Sequence, residues 1–546
     1  MRPMVGADLE RPAGQACRER PRSRPPALPR LRWPGDPRRV PGGLARHPAV
    51  LSVLVTAAGT IVWLTVFPRI GTDLSAQIAR AGWASRYPGS AYLFSWYGGM
   101  YPASYSLLAP YLLGVTGTRQ AAAAAAVLSA GLLSLLLVRH RVPRPRAAAL
   151  WAAVAMLTEL TAGRATFVIG LTAALGCVVL ADGSWPRGRL SWAAAAGLAA
   201  LTSMLSPVAG LFLGVPAAAF LVIGRWRAGL VIGVAAGLPL GLAVLLSDGG
   251  AQPISMKNGL PSLLAAAGVV VLLPRRWRMV RIGAIVYAIG VIIVWAVPTP
   301  VGSNVERLGL LLIGPLLAGM ASVRYRWLLA GALIAAATWQ VAQPVTDFAH
   351  GNAPPYAPQT AALVAELRAL DAQTARVEAV PQYGHWESQE LAATVPLARG
   401  WERQADVARN PLFYEGTLTP AAYYGWLRGN AVRYVAISAA SPDFAAVAEA
   451  AIVRSGQPWL IPVWRDAFWR LYRVAGALPL ASPPATVIST TPGRITLRMH
   501  QAGTTVVRVH WSWLLRGTGS AAVAARGQWT SLTVSSPGSY TLSARY

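Results

Sequence analysis

Between residues 47 and 345 the chain holds five carboxylates: Asp73, Glu159, Asp182, Asp248 and Glu306. The residues around them are overwhelmingly apolar. Acidic side chains beside hydrocarbon are costly, and those that persist face a polar cavity or a partner. All but Asp182 fall in loops or helix ends expected on one side of a bilayer. Four acids at one face imply an aqueous site there, with carboxylates to run its acid–base chemistry.

The composition sets what must position them. The chain has 546 residues, 54% hydrophobic and 13% charged, with mean hydropathy +0.43. That is a polytopic α-helical membrane protein. The net charge is +28, but only one of the 49 basic residues is a lysine, Lys257. No aromatic–basic ladder accompanies the arginines, so nucleic acid is not an expected partner. The Arg-for-Lys bias with heavy Ala, Gly and Pro points to a GC-rich genome. Cys17 and Cys177 are expected in an inner arm and a membrane helix, so no disulfide framework is expected.

Residues 1–46 hold eleven Arg, four acids and nine Pro, and form no apolar core. They read as a disordered, basic cytoplasmic arm, a positive-inside anchor before any lipid-binding device. The first apolar run, 49–67, ends in Val66-Phe67-Pro68-Arg69 without a small-residue cleavage site, so it is expected to be retained.

Eleven apolar runs follow one another between residues 49 and 342, and basic clusters mark alternate connections. Fourteen of the twenty-one basic residues in 47–345 lie in those clusters, from Arg139–Arg146 to Arg324 and Arg326. The positive-inside rule then predicts about eleven transmembrane helices in the plasma membrane. The N-terminus is expected in the cytoplasm and the C-terminal region outside. Residues 103–117, with Pro102 and Pro110, read as an interfacial or re-entrant segment of a long first outer loop, 69–119. The transmembrane domain is therefore 47–345. Beyond it, helical patterns (357–373, 442–455) mix with strand runs Arg433–Ile437 and Phe468–Val474, which predicts an exported α/β domain over 346–479. From 480 to 546, short Val/Thr/Ile runs between turns predict a small β-sandwich.

The first outer loop is the most informative segment. It opens with Gly71-Thr72-Asp73-Leu74-Ser75-Ala76-Gln77 and continues through Trp83, Tyr87, Tyr92, Trp96, Tyr97, Tyr101 and Tyr105. The rings suit a membrane-interface belt, or stacking platforms for a sugar or lipid headgroup. Asp73 after Thr72 also suits a helix cap. An acid directly after helix one, interfacial segments, about a dozen helices and an exported C-terminal domain together resemble membrane glycosyltransferases of the GT-C fold. The loop, Ser95-Trp96-Tyr97-Gly98-Gly99-Met100, the stretch Pro300–Gly309 and Gly400-Trp401-Glu402-Arg403-Gln404 are similar to actinobacterial membrane proteins of that kind.

The resemblance implies a sugar leaving a polyprenyl-phosphate donor for a cell-envelope glycan acceptor at the outer face. It puts Asp73 in the place of the first-loop acid, which acts as base or helps bind a divalent metal. Many relatives carry a second acid nearby; here Leu74 and Ser75 follow instead. An inverting transfer needs a base for the acceptor hydroxyl and positive charge at the leaving phosphate. Asp73 is the expected base and Arg307 the expected phosphate contact. Glu306, Asn304, Trp96, Tyr97 and Gln77 complete the expected substrate contacts. A local Glu306–Arg307 ion pair is the bland alternative.

Glu159 and Arg164 bracket a turn and read as a structural salt bridge, and Ser247-Asp248-Gly249-Gly250 as a turn. His385-Trp386-Glu387 reads as a surface loop, with no His/Cys spacing that fits zinc. Neither a phosphate loop nor a Gly-x-Ser-x-Gly elbow is present. A transporter or flippase, and a non-catalytic scaffold, are the two rival functions.

Overall fold

The computed structural model describes residues 47–67, 71–182, 188–245, 249–351 and 356–546. The expectations for the basic arm 1–46 and for Asp248 lie outside the described residues. In chain order the first helices are α1 (Pro48–Val66), α2 (Leu74–Arg86), α3 (Ala109–Thr116), α4 (Thr118–Arg139), α5 (Pro145–Thr161) and α6 (Ala165–Ala181). There follow α7 (Arg189–Leu205), α8 (Pro207–Val222), α9 (Trp226–Leu245), α10 (Met256–Leu272), α11 (Arg278–Ala296), α12 (Glu306–Met320) and α13 (Arg326–Gly351). All but α2 and α3 fall on the apolar runs. Proline starts α1, α5 and α8, where its fixed φ suits a first turn that needs no N–H bond.

Five of these helical segments, at α1, α4, α9, α11 and α13, are long and apolar enough to cross a membrane. Their outward faces carry large bare apolar side chains: Leu238 is 72% exposed, Ile334 68% and Trp327 78%. Water would not tolerate such a continuous apolar surface, whereas lipid covers it at no cost. The protein is a membrane protein with a C-terminal β region.

The two ends of the helical bundle differ. At one end the basic connections meet. Arg144 N–H donates to Gly319 O at 3.2 Å, Ser322 N–H to Leu272 O at 2.9 Å, and His140 lies 3.0 Å from Asp182. The opposite end collects Asp73, Glu159, Arg164 and Glu306.

The C-terminal region sits against that acidic end. It adds α14 (Tyr356–Ala369), β1 (Arg376–Ala379), α15 (Trp386–Glu390), α16 (Arg403–Arg409), α17 (Pro420–Gly429), β2 (Val432–Ser438), α18 (Val447–Arg454), β3 (Leu460–Arg465) and β4 (Trp469–Val474). The sheet order is β1-β2-β4-β3, with β1 parallel to β2 and the other pairs antiparallel. The sandwich comprises β5 (Ala485–Thr491), β6 (Arg494–Met499), β7 (Gly503–His510), β8 (Arg516–Gly517), β9 (Ala522–Arg526), β10 (Trp529–Val534) and β11 (Gly538–Ser543). Its two sheets are β7-β10-β9 and β5-β6-β11-β8.

Both cores are built partly from the first loop. Trp83, Leu93, Trp96, Tyr97 and Met100 pack with Leu363, Val377 and Leu471. Ala91, Tyr92 and Phe94 pack with Leu497, Val507 and Leu542 of the sandwich. Backbone bonds stitch the same contact: Ala91 N–H to Ala544 O at 3.1 Å and Leu397 N–H to Ser95 O at 2.8 Å. The expected interface belt is therefore corrected. Trp83, Tyr92, Trp96 and Tyr97 are buried among residues of the C-terminal region.

One ion cluster anchors the sheet's helical face. Arg399 donates to Asp406 at 2.7 and 3.1 Å and to Glu449 at 2.9 Å, and Tyr423 OH donates to Glu449 at 2.7 Å. Burial and the neighbouring Glu449 push the carboxyl of Glu378, on β1, well above its usual range. Arg399 holds Asp406 below that range against the opposing effect of burial.

Candidate active site at the acidic end of the bundle

The site begins where α1 gives way to α2. Gly71 and Gly163 have φ of +112° and +74°, and a Cβ on Gly71 would lie 2.5 Å from Gly163 N. The loop before α2 thus packs backbone to backbone against the α5–α6 turn, an approach open only to glycine. Gln77 staples the same junction: its Nε2 donates to Gly163 O at 2.7 Å, and its Oε1 accepts from Thr166 N at 2.6 Å. Asp73 occupies the cap position of α2 but makes no side-chain cap bond. Its carboxylate is left for another partner.

That partner is Arg307. Its Nη2 lies 3.1 Å from Asp73 Oδ2, across 234 residues of sequence. The Asp73 side chain keeps 25% exposure and the Arg307 side chain 9%. The guanidinium also sits 5.6 Å from the Phe167 ring centroid, and its Nε has no partner among the described residues. A local Glu306–Arg307 pair does not form. Glu306 Oε2 instead accepts from Asn258 Nδ2 at 2.6 Å, with Arg164 3.9 Å from its other oxygen. Arg164 pairs with Glu159 at 3.2 Å, the structural bridge expected for that turn.

Beside this pair the helices enclose an apolar cavity of about 440 Å³. Its wall includes Phe167, Leu308 and Tyr287 near Arg307, and His140, Asp182 and Arg276 at the basic end. Its charged and titratable groups, His140, Asp182 and Arg276, lie at the basic end, and toward Arg307 its wall is apolar apart from Tyr287.

Four of the expected substrate contacts are bonded to protein. Gln77 is consumed by the staple. Trp96 is fully buried and its Nε1 donates to Ser388 O at 2.9 Å. Tyr97 OH donates to Glu402 O at 3.3 Å. Asn304 Nδ2 donates to Gln252 Oε1 at 2.8 Å. These bonds tie each of the four to protein, and Asn304 stays partly exposed.

The stretch Gly400–Gln404 is the hub that seats the C-terminal region on the bundle. A Cβ on Gly400 would lie 2.2 Å from Trp96. Trp401 Nε1 donates to Thr72 O at 2.9 Å, directly before Asp73. Glu402 takes a buried salt bridge from Arg80 and a bond from Ser104 at 3.0 Å. Gln404 reaches Pro300 O at 2.9 Å. Arg403 grips Asp443 with two bonds of 2.9 Å.

His385 is not on a surface loop. It is 2% exposed and stacks on Trp401 at 3.5 Å with the rings 9° apart. Its Nε2 lies 3.4 Å from Asp443 and its Nδ1 3.6 Å from Glu387. Burial alone would lower its pKa, but Asp443 and Glu387 outweigh that and raise it. A raised histidine stabilises fully below its unfolded value and loses that contribution as pH climbs through the folded one. The thermal midpoint of the full chain is thus expected to fall as pH rises above the ordinary histidine value of about 6.5, and to fall less in His385→Gln. Equal slopes in both proteins would remove His385 from this contact.

The sequence reading missed Asp347. Gln340, Gln343 and Asp347 lie at i, i+3 and i+7 on α13, a polar stripe along an otherwise apolar helix. That spacing was the available signal. Phe67 meets Phe348 edge-on at 4.9 Å, which ties the end of α1 to the turn carrying Asp347. Among the described residues, the groups around Asp73 do not form a metal site. Asp73 Oδ2 faces a guanidinium, and no group of three or more His, Cys, Asp or Glu converges among the described residues.

No family model and no curated protein matches this chain. Among solved structures it is similar to the arabinofuranosyltransferase AftD from mycobacteria, at 16% identity and a TM-score of 0.44. The match covers 86% of this chain and 43% of that one, so the chain spans less than half of that enzyme's length.

Proposed function

We propose that the chain is a polytopic membrane glycosyltransferase of the GT-C type. In this reading it moves a sugar from a polyprenyl-phosphate donor to a cell-envelope glycan acceptor at the outer face. The observation that carries the reading is the Asp73–Arg307 pair, whose guanidinium lies 5.6 Å from the ring of Phe167, a residue of the apolar cavity's wall. The cavity suits the polyprenyl chain, and Arg307 suits the phosphate.

A phosphate offers a guanidinium two parallel bonds, against the single one from Asp73, so donor binding draws Arg307 off Asp73. The freed carboxylate takes the proton of the acceptor hydroxyl. That oxygen bonds to the anomeric carbon as the carbon–oxygen bond to phosphate breaks. The departing electron pair rests on the phosphate beside Arg307. The acids gather at one end and not at mid-bundle, which favours chemistry at a face over coupled transport.

A photoreactive polyprenyl phosphate is expected to label the cavity wall, with unmodified polyprenyl phosphate competing and inorganic phosphate not. Labelling confined to the C-terminal region would contradict the reading. The orientation is tested separately. Reporter fusions after Arg144 and after Gly400 are expected on opposite sides, the first in the cytoplasm. The same side for both would overturn the topology.

A further inference from the structure

Asp347 is 0% exposed. Its Oδ1 accepts from Gln343 Nε2 at 2.8 Å and from Tyr383 OH at 3.2 Å. Its Oδ2 has no hydrogen-bond partner among the described residues. A buried carboxylate oxygen left without a donor is costly, and native proteins leave few. Inside a membrane-spanning helix such a group marks a functional position.

Its surroundings say which one. The residue lies at the acidic end of the bundle: the next residue, Phe348, meets Phe67 at the end of α1, and Gln340 on the same helix donates to Thr158, beside Glu159. Gln343 and Tyr383 come from two different parts of the chain and hold the same oxygen. They fix the carboxylate's orientation and leave the other oxygen buried without a donor among the described residues. Gln340 is two turns deeper along α13, about 10 Å away, and so beyond a single sugar ring that reaches Asp347.

We propose that Asp347 is a sugar-recognition residue, whose Oδ2 accepts a hydrogen bond from a hydroxyl of the donor sugar. The inference rests on the glycosyl-transfer reading above. The sugar is bonded directly to the phosphate that Arg307 holds, so its hydroxyls fall beside the phosphate site. They are the donors that Oδ2 lacks. A site built to bond a substrate hydroxyl also rejects ligands without it, because the buried acceptor is then left unpaired. Asp347 would thereby separate a sugar-loaded carrier from the spent one.

The test compares two probes on the purified full chain: bare polyprenyl phosphate, and a panel of polyprenyl-phosphate monosaccharides. Asp347→Asn keeps the shape but replaces the acceptor Oδ2 with an N–H group. It is expected to weaken the best sugar-bearing probe by about tenfold or more and leave the bare carrier unchanged. Tyr383→Phe, which frees the oriented oxygen pair, is expected to give a smaller loss of the same selectivity. Arg307→Lys is expected to weaken both probes. Bare-carrier binding also reports whether Asp347→Asn folds; if it does not, Tyr383→Phe decides. Unchanged binding of the sugar-bearing probes, or equal loss for both probes, would overturn sugar recognition and leave the donor reading standing. A wild-type chain that binds neither probe would overturn both.

Discussion

Asp73→Asn is expected to lower glycosyl transfer by about 10²–10⁴, the usual cost of losing a positioned general base. The protein should still insert and fold. Asparagine matches the volume of aspartate and keeps an oxygen for the Arg307 Nη2, now 3.1 Å from the carboxylate. Binding of a sugar-bearing polyprenyl phosphate should survive or strengthen, since the phosphate no longer competes with a charged carboxylate for the guanidinium. Arg307→Lys acts on the other partner. It keeps the charge but loses the planar fork, so it should weaken donor use more than acceptor use. If the pair were only a structural clasp, both substitutions would lower thermal stability and leave activity per folded molecule intact.

The second large effect is on stability. Arg399→Met should destabilise the C-terminal region by about 3–5 kcal/mol, because it strands buried charges. Asp406 would lose bonds of 2.7 and 3.1 Å, and Glu449 one of 2.9 Å. The Arg399 side chain is only 2% exposed, so water cannot replace it. Thermal unfolding of the full chain, followed by tryptophan fluorescence, reads the change. A wild-type midpoint in Arg399→Met would show that the cluster carries little of the fold. Glu378→Gln should be close to neutral by comparison, since burial and Glu449 already favour the protonated form.

Part of this was legible because lipid and water impose simple patterns. Runs that must face hydrocarbon are apolar throughout, and helices formed on those runs. The short Val/Thr/Ile runs between turns after residue 480 correspond to the strands of the two C-terminal sheets. Asp73 and Arg307 were placed at one face by counting connections, and the structure brings them within 3.1 Å.

Other features were hidden for physical reasons. Pro344 made the last apolar run look finished, yet α13 continues through it to Gly351. Asp347 was therefore counted with the C-terminal region instead of the site. Pro462 similarly masked β3, which tolerates it by lying at the sheet's edge. β1 was hidden by Arg376 and Glu378, charged side chains buried in a four-residue strand. The aromatic residues of the first loop have the composition of an interface belt. Only a docked C-terminal region distinguishes that from a core, and docking depends on Trp401, Glu402 and Gln404 meeting partners roughly 100 to 330 positions away. Composition also cannot show which neighbour an arginine turns to. Arg307 passes over the adjacent Glu306 because Asn258 and Arg164 already hold that carboxylate.

The central claim is that Asp73 and Arg307 form a transfer site for lipid-linked sugar. It is tested most directly by single-turnover transfer from radiolabelled polyprenyl-phosphate sugars to a cell-envelope glycan extract. Purified wild type and Asp73→Asn are compared at matched folded concentration. The account predicts labelled glycan with wild type for at least one donor, and a rate lower by about 10²-fold or more with Asp73→Asn. Transfer at the wild-type rate by Asp73→Asn, or no transfer by wild type from any donor, would contradict it.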